Sequence, residues 1–227
     1  MLNPTQAHLW QEYVAAESDR ISSVSGPALD RFLKALDQDP VSFWEEWAFE
    51  ISRKHVDSGD VFPIRMQLFK RALFPALLSG IERQIPGCAR WLAGMNPLLY
   101  HCKECQEALG EIGWSRVSLL RLALQHDQDD RSARKALIQS LATSLDYAID
   151  EVPAGVLYGQ KFATVEQCEE LLSDLIEFRE LVTDVGLRKR HLRLIRECEF
   201  HFGHYKDYLK RQGAYPSYEH YLKAVDA

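Results

Sequence analysis

The constraint that dominates this sequence is its helical periodicity, which runs from Thr5 almost to the C-terminus. Apolar side chains recur every three or four residues, and they absorb most residues that would otherwise suggest chemistry. A helix with one apolar stripe must bury it against another element, so packed helices follow. No run alternates apolar and polar residues as a half-buried strand does. Hydrophobic residues make up 46% of the 227 and charged residues 26%, the balance of a chain with a packed core.

Gly and Pro fall at junctions, and the junctions set the predicted elements. Thr5 is the expected cap of a first helix through about Ser22, with Leu9, Trp10, Tyr13 and Val14 on its apolar side. Ser25-Gly26-Pro27 reads as a restart, because Pro is preorganised for a first helical turn. Asp39-Pro40 repeats that device and opens a helix carrying Phe43, Trp44, Trp47 and Ile51. Phe62-Pro63 opens another, which Pro75 should kink or divide. Pro86-Gly87 and Asn96-Pro97 punctuate again. Helices are expected near 97–109, 114–126, 130–150, 164–185 and 187–211, then a short one after Pro216.

The expected architecture is all-α: stacked antiparallel helical hairpins forming a superhelix or an irregular bundle. It spans one domain, 1–227, subdivided as N-terminal helices at 1–85 and hairpins at 86–227. One connector, Glu151 to Ala163, is long enough for a functional loop. The simpler reading pins it to the core through Val156, Leu157, Tyr158 and Phe162.

Ala123-Leu124-Gln125-His126-Asp127-Gln128-Asp129-Asp130, followed by Ala133-Arg134, resembles the junction between successive tetratricopeptide repeats. Leu109-Gly110 and Gly113 lie where such a repeat places its internal turn, and Leu120 where its second helix carries a large residue. The pattern departs at Gln128, where Pro is usual, and at Arg116, where a small residue is expected. Gly203-His204-Tyr205 with Tyr208 is a second echo, similar to the turn opening a repeat's second helix. Against it, Leu187, Leu194, Ile195, Cys198, Phe202, Tyr205 and Leu209 form one unbroken stripe across Gly203, which favours one long helix. The resemblance implies stacked α-hairpins and nothing finer.

Several function classes fall away. A formal charge of −6 argues against general nucleic-acid binding, which needs clustered cations to displace counterions. The opening Met-Leu-Asn-Pro-Thr lacks the features of a signal peptide. The longest apolar stretch, Ala72 to Ile81, is about half the ~20 residues of a spanning helix, so no membrane partner is expected. Five cysteines without framework spacing point to a reducing compartment, most simply the cytoplasm.

Candidate chemistry is sparse. Cys102-Lys103-Glu104-Cys105 offers two thiolates to zinc, but no second pair completes four ligands. Leu98, Cys102, Cys105 and Leu109 also fit a buried helical stripe, so both cysteines are expected as packed thiols without metal. His201 and His204 are spaced like helical ligands, yet no Glu-x-x-His or His-Glu-x-x-His accompanies them. Asp127, Asp129 and Asp130 lack the Gly and distal Glu of a calcium loop and suit a helix N-terminus instead. No nucleophile elbow or phosphate-cradling loop is present, so no cofactor is expected.

The basic run Arg188-Lys189-Arg190, continued by Arg193 and Arg196, is the remaining lead. Lys189, Arg193, Arg196 and Phe200 share the face opposite the apolar stripe, and they are the expected partner-binding residues. The competing account pairs these cations with Glu170, Asp174 and Glu177 on the preceding helix. The leading functional expectation is a non-catalytic interaction module holding a protein or peptide partner in a groove between hairpins. The alternatives are an immunity-type inhibitor whose acidic surface caps a basic toxin, and a helical enzyme with a site between its halves.

Overall fold

The computed structural model describes residues 1–19, 22–59, 63–159, 163–211 and 213–225. The first unit of structure opens with α1 (Pro4–Ser18), α2 (Ser22–Leu36) and α3 (Val41–Asp57). Then come α4 (Met66–Leu68), α5 (Phe74–Glu82), α6 (Cys88–Gly94), α7 (Asn96–Tyr100), α8 (Lys103–Leu109) and α9 (Arg116–His126). Last are α10 (Arg131–Glu151), α11 (Val165–Leu181), α12 (Val185–Lys210) and α13 (Tyr218–Val225). No strand occurs among the described residues, and the fold is all-α. No helix among them is long and apolar enough to cross a membrane.

Two compact units divide the chain, Met1–Ala133 and Arg134–Ala227, with the boundary in the first turn of α10. Pro86-Gly87 is a helix junction within the first, where Gly87 adopts φ +92° as the N-cap of α6.

In the first unit the helix start is Asn3, not Thr5. The Asn3 side chain accepts the Gln6 N–H at 2.9 Å while Gln6 Oε1 accepts the Asn3 N–H at 3.0 Å, a reciprocal capping box. The buried Gln6 amide then donates to Ala35 O at 3.1 Å and Asp39 Oδ2 at 2.9 Å, tying α1 to the end of α2. Trp10, Phe32 and Trp47 meet with ring centroids 4.9–5.2 Å apart. Trp44 is buried on α3 as expected, but Phe43 is 62% exposed, and Ala48 is buried as well.

The prolines behave differently. Pro40 opens α3 as its sequence context predicts, but as the N-cap rather than within the first turn. Pro27 does not restart the chain: α2 begins at Ser22 and continues through Gly26-Pro27, at the expense of one second-turn N–H. Phe62 lies outside the described residues, and the helix after Pro63 begins at Met66. Before Pro75 the helix neither breaks nor divides. A π-helical turn, Phe69–Leu73, takes up the proline by shifting the bonding to i→i−5, with Phe74 N–H on Phe69 O.

The predicted helix 97–109 is two helices. It breaks at His101-Cys102, and Cys102 and Cys105 are joined by a disulfide rather than packed as free thiols. An i, i+3 spacing fits a buried stripe and a Cys-x-x-Cys bridge equally well, so spacing alone does not separate them. Both residues are buried, as is Leu99, whereas Leu98 is only half-buried. Cys88, Cys168 and Cys198 are free and buried.

The acidic turn before α10 serves the fold. Asp130 Oδ1 accepts the Ala133 N–H at 2.9 Å, and Asp127 Oδ1 accepts the Asp129 N–H at 3.0 Å.

In the second unit α10 ends in a 3-10 turn, Val152–Ala154. Val152 and Leu157 are fully buried and hold the following loop, and Glu151 Oε1 accepts the Gly159 N–H at 2.9 Å. Val156 is half-buried and Tyr158 is 44% exposed at φ 54°, so neither is the anchor expected of it. Phe162 lies outside the described residues. Thr164 and Gln167 form the capping box of α11, and Asp184 caps α12 by accepting the Gly186 and Leu187 N–H groups. The two helices run antiparallel: Arg179 near the end of α11 meets Glu199 at 2.7 Å, while Glu169 near its start meets Lys206 at 4.0 Å.

Helix α12 passes through Gly203 without a turn, and Ile195, Cys198, Phe202, Tyr205 and Leu209 are its buried stripe. A Cβ on Gly203 would meet nothing within 4 Å. Gly203→Ala is therefore expected to raise stability by about 0.5–1 kcal/mol, the helix-propensity difference between the two residues. Urea denaturation checks it, and a loss of stability would indicate a backbone conformation that only glycine tolerates.

Candidate partner-binding surface

The surface is built on the first half of α12. From Val185 to Arg196 this helix carries five cations, Arg188, Lys189, Arg190, Arg193 and Arg196, and no carboxylate. Stepping at 100° per residue puts Lys189, Arg193, Arg196 and Phe200 on one ridge, and all four are exposed.

The competing pairing with α11 is not realised for these residues. Arg193 Nε meets Glu197 Oε1 on its own helix at 2.8 Å, which holds its pKa above the ordinary value. Lys189 and Arg196 make no ion pair among the described residues, and neither do Arg188 and Arg190. The pairs described between α11 and α12 use Arg179 with Glu199 and Lys206 with Glu169.

Depressions flank the ridge on both sides. A cleft of about 530 Å³ lies between α10 and α12, with Asp146, Ile149 and Asp150 on one wall and Arg190, Arg193 and Leu194 on the other. Its mixed lining gives a ligand both charge signs and an apolar floor. On the α11 side a smaller hollow of about 130 Å³ brings Arg188 and Arg196 around Val182, Leu192 and Ile195. Arg193 and Arg196, predicted as neighbours on one face, thus border different depressions.

Phe200 stays 40% exposed, and the cover it has comes from its own helix. Its ring centroid lies 4.4 Å from that of His204 and 5.0 Å from that of His201. His204 Nδ1 is 2.7 Å from Phe200 O, and His201 Nδ1 is 3.1 Å from the Tyr218 hydroxyl, so both histidines serve local packing. Burial pushes the His201 pKa down. Beyond them Tyr205, Tyr208, Tyr218 and Tyr221 pack ring on ring at 5.0–6.2 Å, holding α13 to the end of α12. No group of three or more His, Cys, Asp or Glu able to hold a metal occurs among the described residues.

Sequence reasoning missed Asp146 and Asp150. Their i, i+4 spacing puts them on one face of α10, but only packing reveals that this face borders α12. Arg188 and Arg190 were visible in the basic run and are now joined to the ridge by the depressions beside it. Comparison of the chain with known protein families, curated proteins and solved structures finds no match.

Proposed function

We propose that this protein is a non-catalytic interaction module that holds the acidic side of a peptide or helix along the α12 ridge and its apolar side chains in the α10–α12 cleft. The observation that carries the reading is the run of exposed cations on the first half of α12, of which only Arg193 has an ion pair among the described residues, beside a cleft able to admit side chains. Arg193 and Arg196 would grip carboxylates with paired hydrogen bonds, Lys189 would add charge, and Phe200 would pack alongside. A basic ridge on a chain of net charge −6 supports an acidic partner over the capping of a basic toxin.

A glutamate-rich amphipathic peptide serves as the probe, titrated by fluorescence anisotropy at low and physiological salt. The double substitution Arg193→Ala, Arg196→Ala is expected to weaken its binding at least ~10-fold, and Arg→Lys at both positions to weaken it less. Thermal stability should change little, because the exposed Arg193–Glu197 pair is worth no more than ~0.5 kcal/mol. Lost stability with unchanged peptide binding would make the ridge structural and overturn the proposal.

A further inference from the structure

We propose that Cys102 and Cys105 are a thiol–disulfide exchange site whose oxidation state decides whether residues 96–109 form two helices or one. The inference is independent of the α12 surface. Residues three apart on a regular helix have Cβ atoms ~5–6 Å apart. A disulfide needs them at ~3.5–4.5 Å. An i, i+3 bridge is thus incompatible with an unbroken helix, and the chain breaks at the bridge. His101 ends α7 and Cys102, at φ −122° and ψ 88°, precedes α8.

The backbone bonds show what the break displaces. In a continuous helix the Lys103 and Glu104 N–H groups would donate to Leu99 O and Tyr100 O. Here the Gln106 side-chain amide occupies both acceptors, at 3.0 Å and 2.9 Å. Cys102 N–H turns back to Leu99 O in a tighter i→i−3 bond at 3.1 Å. One glutamine side chain thus mends the gap that the bridge opens. Without the bridge, the sequence pattern favours one helix over 97–109 with both cysteines on its buried side.

The bridge is a poor staple. It closes a loop of very few residues, and short loops restrain the unfolded chain least. The other cysteines are suited to remain thiols: burial pushes Cys88 and Cys198 up to about 12 and Cys168 up to about 11. The redox partner is a dithiol, small or protein-borne. Its thiolate attacks one sulfur, the Cys102–Cys105 bond breaks, and a mixed disulfide forms. Its second thiol then displaces the remaining cysteine, leaving two protein thiols and an oxidised partner. Because both sulfurs are buried, exchange proceeds through local opening of α7 and α8, which are only five and seven residues long.

The test uses the full chain, oxidised with glutathione disulfide or reduced with dithiothreitol in native buffer. After an acid quench and alkylation in denaturant, reduction in native buffer is expected to raise the alkylated cysteines from three to five, the two gained being Cys102 and Cys105. Hydrogen exchange at the Lys103 and Glu104 amides should slow at least ~10-fold on reduction, as they gain helical acceptors. Cys102→Ala should show the slow exchange with no reductant present. Reduction that requires denaturant, or equal exchange at these amides in both states, would overturn the switch and leave a structural bridge.

Discussion

Replacing Arg90 with Met is expected to destabilise the first unit by about 3 kcal/mol, the low end of what breaking a buried ion pair costs. Arg90 lies on α6 between two acids far apart in sequence: its guanidinium bonds Asp57 at the end of α3, and its Nε meets Asp130 Oδ2, the N-cap of α10, at 2.7 Å. The Arg90 and Asp130 side chains are only 13% and 10% exposed. Burial works to lower the Arg90 pKa, but the hydrogen bonds to Asp57 and Asp130 outweigh it and hold the pKa above its ordinary value. Trp91 Nε1 also donates to Asp57, at 3.0 Å. Met keeps much of the stem's packing and removes the charge, so two neighbouring carboxylates lose their shared cation. Lys keeps the charge but cannot fork toward two acids, and should recover only part of the loss. All five tryptophans lie in the first unit, so urea unfolding followed by tryptophan fluorescence reads this effect selectively. A midpoint within error of wild type would show that the cluster adds nothing net.

The Arg90 cluster also marks where sequence reading stops. Residues 57, 90 and 130 share no period or motif, and only the packing of α3, α6 and the α10 cap unites them. Helix boundaries were legible where a cap sits beside a stripe, as at Thr164-x-x-Gln167 and Pro40. They were not legible where two local rules competed. Asn3 and Thr5 are both good caps, and the Gln6 side chain decides between them by reaching Asp39. Pro75 demanded a defect, and that the defect is a π turn, with Phe69, Leu73 and Phe74 all buried, was not legible from the proline alone. The outward direction of Lys189, Arg193, Arg196 and Phe200 followed from angular stepping alone. Which helix faces them did not, because the rotation of neighbouring helices is a tertiary property. For that reason the acids beside the ridge proved to be Asp146 and Asp150 on α10.

Phe202→Ala is expected to cost the second unit about 3–5 kcal/mol, as for other fully buried phenylalanines. Its ring is 0% exposed, one turn from Cys198 and next along the stripe to Tyr205 and Leu209, all buried. Removing it leaves a cavity that the neighbouring tyrosines cannot fill without breaking their mutual ring contacts. Seven of the nine tyrosines lie in this unit, so near-ultraviolet circular dichroism and hydrogen exchange along α12 report its loosening. The substitution also separates the two faces of one helix. The apolar face anchors α12, and the ridge on its other side can present cations in a fixed array only while that anchor holds. Phe202→Ala should therefore lower stability and peptide affinity together, whereas Arg193→Ala with Arg196→Ala lowers affinity alone. Should Phe202→Ala unfold α12 yet leave binding of the acidic peptide intact, the ridge would act as loose charge, and a shaped recognition surface on α12 would have to be abandoned.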